Sequence, residues 1–178
     1  MKKTSLLLLL GTLTFGVEAA NKNTVSLGYA QSHGSLSQDA RGGNVNYRYD
    51  ITDVWGVITS YTHTNTAIDT GGVRNGRPYT LYANLRYDAF AAGPTYRFNP
   101  YVSIYGALGL ARGKAKAEGA FAGASINRQR SESDNGTVYI AGLQINVTPE
   151  IAMNAHYEYS QLGGIDVNTW MLGAGYRF

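Results

Sequence analysis

Apolar and polar residues alternate along most of this chain, in segments too short for amphipathic helices. Val25, Leu27 and Tyr29 take every second place against Ser26, Gly28 and Ala30, and Val45, Tyr47 and Tyr49 do so against Asn46 and Arg48. Val57, Thr59 and Tyr61 alternate less cleanly with Gly56, Ile58 and Ser60. Phe90, Ala92, Pro94, Tyr96 and Phe98 stand against Ala91, Gly93, Thr95 and Arg97, while Ile104, Leu108 and Leu110 oppose Ser103, Tyr105, Ala107 and Gly109. Tyr139, Ala141, Leu143, Ile145 and Val147 alternate with Ile140, Gly142, Gln144 and Asn146. Ile151, Met153, Ala155, Tyr157 and Tyr159 do the same against Asn154, His156, Glu158 and Ser160. Last, Trp170, Leu172, Ala174, Tyr176 and Phe178 oppose Thr169, Met171, Gly173, Gly175 and Arg177. A side-chain period of two belongs to a strand with one apolar face, so these stretches predict eight half-polar strands.

The links between them are of two kinds. Asp50 to Val54, Asn99-Pro100 and Thr148 to Glu150 are tight turns. His33 to Gly42, Thr64 to Pro78 and Gly113 to Gly136 are long, with Gln161 to Asp166 intermediate. Long and short links alternate strictly, the plan of an outer-membrane barrel with short periplasmic turns and longer outer loops. A membrane-crossing strand needs about 9–11 residues, and the spacing allows about twenty for each strand with its link. The expected fold is all-β: an eight-stranded antiparallel transmembrane β-barrel with short periplasmic turns and long extracellular loops.

A soluble barrel of the lipocalin type shares the alternation. The strict alternation of link lengths argues against it. So do the aromatic residues near strand ends (Tyr47, Tyr49, Trp55, Tyr61, Tyr96, Phe98, Tyr157, Tyr159, Trp170, Tyr176 and Phe178), which suit two bilayer interfaces. The final strand stops on Tyr176-Arg177-Phe178, an aromatic ending that resembles the assembly signal of bacterial outer-membrane proteins.

Composition agrees. The 178 residues include 22 Gly and 14 Tyr but no Cys, a balance that favours strands and turns over helices. Mean hydropathy is −0.22, and no run of about 18 apolar residues follows the N-terminus, which excludes a helical span there. The N-terminus itself reads as a secretory signal: Lys2 and Lys3, an apolar stretch containing Leu6 to Leu10, then small residues around Val17-Glu18-Ala19-Ala20. The chain therefore divides into residues 1–19, a signal peptide cleaved after Ala19 or Ala20, and residues 20–178, the barrel. Loss of Lys2, Lys3 and Glu18 takes the formal charge from +3 to +2, a balance that implies no nucleic-acid partner.

Several stretches then become familiar. They are Ser26-Leu27-Gly28-Tyr29-Ala30-Gln31-Ser32, Tyr47-Arg48-Tyr49, Ala92-Gly93-Pro94-Thr95-Tyr96-Arg97 and Ser103-Ile104-Tyr105-Gly106. Ala141-Gly142-Leu143-Gln144, Tyr157-Glu158, Val167-Asn168-Thr169-Trp170 and Gly175-Tyr176-Arg177-Phe178 follow in order. Together they resemble the Ail/Lom/OmpX family of enterobacterial outer-membrane proteins. The resemblance implies a multi-pass protein of the bacterial cell outer membrane in a Gram-negative organism. It also implies virulence roles carried by outer loops: adhesion to host surfaces, invasion or resistance to complement. A structural role in the lipopolysaccharide layer and a narrow pore stand as alternatives.

The candidate chemistry lies in two places. Arg48, Arg97, Gln144, Asn154, Glu158 and Arg177, with Asn146 and His156, fall on the predicted inner face. A charge facing lipid costs about 2–4 kcal/mol near the midplane, so these groups point inward and pair as a packed polar core. The outer loops offer a basic surface, Arg74, Arg77, Lys114, Lys116, Arg128 and Arg130. Guanidinium and ammonium groups there suit lipopolysaccharide phosphates, and host-cell surface or matrix anions, or complement regulators, as partners of a monomeric protein. No cofactor or metal site is expected, because none of His33, His63 and His156 has a second ligand at metal spacing. His33, Ser35 and Asp39 form the one imaginable catalytic group, too common a trio in a polar loop to predict an enzyme.

Overall fold

The computed structural model describes residues 22–34, 39–74, 77–121 and 124–178, without the side chains of 68–70, 73–83 and 117–132. The expected signal peptide, residues 1–19, and its cleavage after Ala19 or Ala20 lie outside the described residues. Eight strands follow one another: β1 (Asn23–Gly34), β2 (Ala40–Asp50), β3 (Trp55–Arg74), β4 (Arg77–Arg97), β5 (Val102–Phe121), β6 (Ala124–Asn146), β7 (Ile151–Leu162) and β8 (Ile165–Arg177). Each pairs antiparallel with the next, and β8 returns to β1 from Thr24↔Arg177 to Gly34↔Val167, closing the sheet. Closure matters in hydrocarbon, where every backbone N–H and C=O must find a partner within the protein.

Alternation sorts the side chains as the pattern requires. Leu110 is 72 % exposed beside Ala111 at 2 %. Leu143, Ile145, Leu172 and Tyr176 face outward, while Thr24, Ser26, Asn44 and Asn46 are buried in the lumen. Aromatic rings gather at two levels. Trp55, Tyr96 and Phe98 meet edge to face, with centroids 5.0 Å apart, near the tight turns, and Tyr29–Trp170 and Tyr139–Tyr159 form pairs towards the other end. Tyr61, Tyr157 and Tyr159 turn their hydroxyls to Asp88, Asn168 and Asp166, so ring and polar tip meet different media. A closed barrel of this kind resists SDS, so unboiled protein is expected to migrate differently from boiled protein on a gel; identical migration would contradict the fold.

The three tight turns use one device. Thr52, Asn99 and Thr148 each accept hydrogen bonds from the backbone N–H groups two and three residues on, at 2.8–3.3 Å. A short polar side chain thus replaces a ladder partner at the point of reversal. The intermediate link Gln161 to Asp166 tightens to Gly163-Gly164, both at positive φ (54° and 85°), as a two-residue hairpin requires.

Two of the long links differ from expectation. The described parts of Thr64 to Pro78 and Gly113 to Gly136 are not irregular loops but ladder: β3 and β4 pair out to Arg74↔Arg77, and β5 and β6 out to Phe121↔Ala124. At about 3.3 Å per residue, strands of 20–23 residues reach far beyond a membrane crossed by about 9–11. Moreover β4 pairs with β5 out to Tyr79↔Phe121, so the two hairpins form one four-stranded sheet beyond the membrane. The cause is physical. Outside lipid the outward face need not be apolar, so the sequence pattern fades, while backbone groups still gain by remaining paired.

Candidate functional site

The lumen is built in layers. At the tight-turn end, β2 carries Arg48 and Asp50 at the same parity, so both point inward. Arg48 Nε donates to Asp50 Oδ1 at 2.7 Å, Arg97 from β4 donates to Asp50 Oδ2, and Arg177 Nη2 from β8 stands 4.0 Å from the same oxygen. Arg97 and Arg177 also cap the turns, donating to the carbonyls of Asp53 and Pro149 at 3.3 and 3.0 Å. Gln144 donates to Asn146, which donates to the Pro100 carbonyl.

Higher up, the Tyr105 ring lies against the wall at Gly142, where any Cβ would collide with it, and its hydroxyl meets His156 Nδ1 at 3.1 Å. Above that, Glu158 is fully buried and accepts hydrogen bonds from Thr62, at 2.9 Å, and from Tyr87. Around these groups Ile58, Ala89, Ala91, Ala111, Val138 and Ile140 form an apolar cluster. The lumen is therefore polar along β1, β2, β7 and β8, while β3 to β6 combine this apolar cluster with buried polar groups such as Thr62, Thr95 and Gln144.

Two of these features depart from the sequence reading. The arginines do not meet Glu158; they share Asp50, which reads as a turn residue but belongs to β2. Parity was the available signal, since Asp50 follows Arg48 by two. The core also holds an apolar cluster beside its buried polar groups, which the sequence does not announce because Ala and Ile at inward positions look like ordinary strand filler. Of the predicted inward group, Arg48, Gln144, Asn154 and Glu158 are buried, and Arg97 and Arg177 are partly exposed at the lower end.

With Tyr105 across the lumen, Ile58 in the same buried cluster and Met171 also buried, no continuous water path is expected. An eight-stranded barrel leaves little room beyond its side chains. Planar bilayers containing the protein should show no stable conductance. Reproducible steps that vanish on truncating Arg97 or Arg177 would make it a channel.

On the outer wall, the β4–β5 ladder sets basic residues side by side. Beyond Phe90↔Leu110 come Asp88↔Arg112, then Arg86↔Lys114, then Asn84↔Lys116. Gly113 faces Leu162 across the lumen and Tyr87 is buried, so their neighbours Lys114 and Arg86 point away from the barrel interior. Arg86 and Arg112 thereby join Lys114 and Lys116, a grouping the sequence conceals because Lys114 and Lys116 fall in a long link while Arg86 and Arg112 lie outside the long links. Arg74 and Arg77 are backbone partners at the β3–β4 tip, and Arg130 pairs with Ala117. Arg128 lies in β6 opposite the irregularity between Ala117 and Gly119. The side chains of these four lie outside the described residues.

Asp39 binds both His33 and Gln31, the latter at 2.5 Å, while Ser35 lies outside the described residues. Across β3 and β4, His63 Nδ1 meets Asp88 at 2.6 Å. Among the described residues no three His, Asp or Glu side chains gather as metal ligands.

Comparison with known proteins agrees with this geometry. Residues 5–178 match the outer membrane protein beta-barrel domain. The chain is 41% identical to the attachment invasion locus protein of Yersinia enterocolitica over 189 residues, covering 100% of both. It is 35% identical to outer membrane protein X of Escherichia coli K12, over 93% of this chain and 91% of that one. It also superposes on the crystal structure of the attachment invasion locus protein of Yersinia pestis in complex with the heparin analogue sucrose octasulfate. There the TM-score is 0.75 and the identity 40%, covering 88% of this chain and 97% of that one.

Proposed function

The chain belongs to the Ail/Lom/OmpX family of bacterial outer-membrane β-barrels, and from that premise we propose that its projecting sheet is an adhesive surface for anionic polymers of the host. The observation that carries this reading is the basic stripe of Arg86, Arg112, Lys114 and Lys116 on the outer wall of β4 and β5. Arg74, Arg77, Arg128 and Arg130 extend the positive charge along the same two hairpins. Fixed cations on a stiff sheet bind sulfate or carboxylate groups with less ordering cost than cations on mobile loops. The Yersinia pestis relative's complex with a heparin analogue supports a sulfated glycan as the ligand class. Adhesion of this kind serves invasion or complement resistance by recruiting host matrix or regulators. It needs no catalytic centre and no cofactor, and it works in a monomer.

A second reading has its own support. Arg112 and Lys114 come directly after the Phe90–Leu110 level, at the height where the lipid-facing wall turns polar. Basic groups there suit lipopolysaccharide phosphates and so anchor the outer leaflet.

Trimming separates the two. Cells displaying the full barrel should attach to heparin-coated surfaces. Cells displaying a barrel whose hairpins are cut to two-residue turns beyond Thr66–Leu85 and Ala115–Glu132, and whose remaining Arg86, Arg112 and Lys114 are replaced by Ser, should lose most attachment while keeping the heat-modifiable gel band. Undiminished attachment by the trimmed barrel would refute the adhesive sheet.

A further inference from the structure

Above Tyr87, the outer end of the lumen widens into a cup of about 340 Å³, within the range of small-ligand sites. Its walls are chiefly apolar: Leu85 from β4, Ala115 from β5, Leu162 from β7 and Ile165 and Val167 from β8, with Thr66 supplying a hydroxyl. Lower in the lumen, Ile58 of β3, Tyr105 of β5 and Met171 of β8 are buried. At the cup, small residues keep it open; a Cβ at Gly113 would already stand 3.2 Å from Leu162 Cδ1.

Among the described residues, the lumen-facing charge of the cup is acidic. Asp134 lies on its wall, exposed, with its carboxylate over the β7–β8 turn, where a Cβ on Gly163 would come within 2.6 Å of it. Among the described residues it makes no hydrogen bond or ion pair. Glu158 lies beneath the floor, held by Tyr87 and Thr62. Arg86 and Lys114 border the cup, but strand alternation sends their charged heads to the opposite face of the wall.

An open-mouthed apolar recess with, among the described residues, one unpaired carboxylate at its edge suits one ligand chemistry. We propose that the cup binds a small hydrophobic amine, its apolar body among Leu85, Leu162 and Val167 and its ammonium on Asp134. Apolar burial supplies the affinity, and the carboxylate selects a cation over a neutral or anionic molecule of the same shape. This site lies on the inner side of the wall whose outer side bears the basic stripe, and it stands or falls independently of adhesion.

The test uses the full barrel in phospholipid nanodiscs, with Ile, Leu and Val methyl groups labelled for NMR. Phenethylamine is titrated against 2-phenylethanol and 3-phenylpropionate. Saturable shifts are expected at Leu85, Leu162, Ile165 and Val167, with the amine bound about fivefold more tightly than the alcohol, as a partly exposed ion pair allows. Asp134→Asn should bring the amine down to the alcohol's affinity. Ala115→Trp, or Leu85→Trp should the first not fold, should abolish the shifts in barrels that still show the heat-dependent gel band. Absence of saturable shifts, equal affinity for amine and propionate, or shifts that survive the filled cup would each overturn the proposal.

Discussion

Asp50→Leu is expected to lower the unfolding free energy of the barrel by about 3–5 kcal/mol, the cost of removing one partner from a buried charge pair. The side chains of Arg48 and Asp50 are almost fully buried, and Arg97 and Arg177 approach the same carboxylate from β4 and β8. Without it, three guanidinium groups repel one another in a space of low dielectric, and Arg48 cannot turn out to solvent. Two of the three also cap tight turns through Asp53 and Pro149, so displaced arginines loosen the periplasmic end. Asp50→Glu should restore part of the loss by keeping the charge. Glu158→Gln is the informative comparison. Glu158 is held mainly by the hydroxyls of Tyr87 and Thr62, so a neutral acceptor keeps most of the geometry and costs about 1–2 kcal/mol. Urea titration in phospholipid vesicles, read by the heat-dependent gel band, ranks the variants. A midpoint for Asp50→Leu equal to that of the unaltered protein would show that the arginines are served from elsewhere.

The second large effect concerns charge on the projecting sheet. Replacing Lys114, Lys116, Arg128 and Arg130 together, with Arg74 and Arg77, should weaken binding to immobilised heparin by roughly 100-fold. Each exposed contact is worth about 0.5 kcal/mol, and six amount to about 3 kcal/mol. Binding by the unaltered protein should also weaken as salt rises, since screening shortens from about 8 Å at physiological ionic strength to about 3 Å at 1 M. The substituted residues lie outside the membrane-spanning wall, so the gel band should persist. Binding that is insensitive both to salt and to all six substitutions would leave the basic residues merely solvated and sink the adhesive reading.

The lipid-facing half of the fold was legible residue by residue. Leu143, Ile145, Leu172 and Tyr176 announce their direction because hydrocarbon on one side and a polar lumen on the other enforce a period of two. Beyond the membrane that pressure ends. Thr64 to Pro78 therefore reads as a polar loop although its backbone continues the ladder to Arg74↔Arg77. The candidate site was legible as a list of cations but not as an arrangement. Arg86 and Lys114 are 28 positions apart, and only the β4–β5 register sets them opposite each other.

Strand number, antiparallel order, lipid-facing residues and the membrane-side turns were set by local pattern, because each depends on neighbours two to five residues away. Tertiary structure alone decided which carboxylate the buried arginines share, how far the strands continue into water, and that two hairpins fuse into one basic sheet. It also opened the cup above Tyr87, whose walls come from strands distant in sequence. These are matters of register and closure. When a sheet closes, side chains from β2, β4 and β8 meet at a point that no stretch of the chain contains, and the buried Arg48–Asp50–Arg97 group arises there.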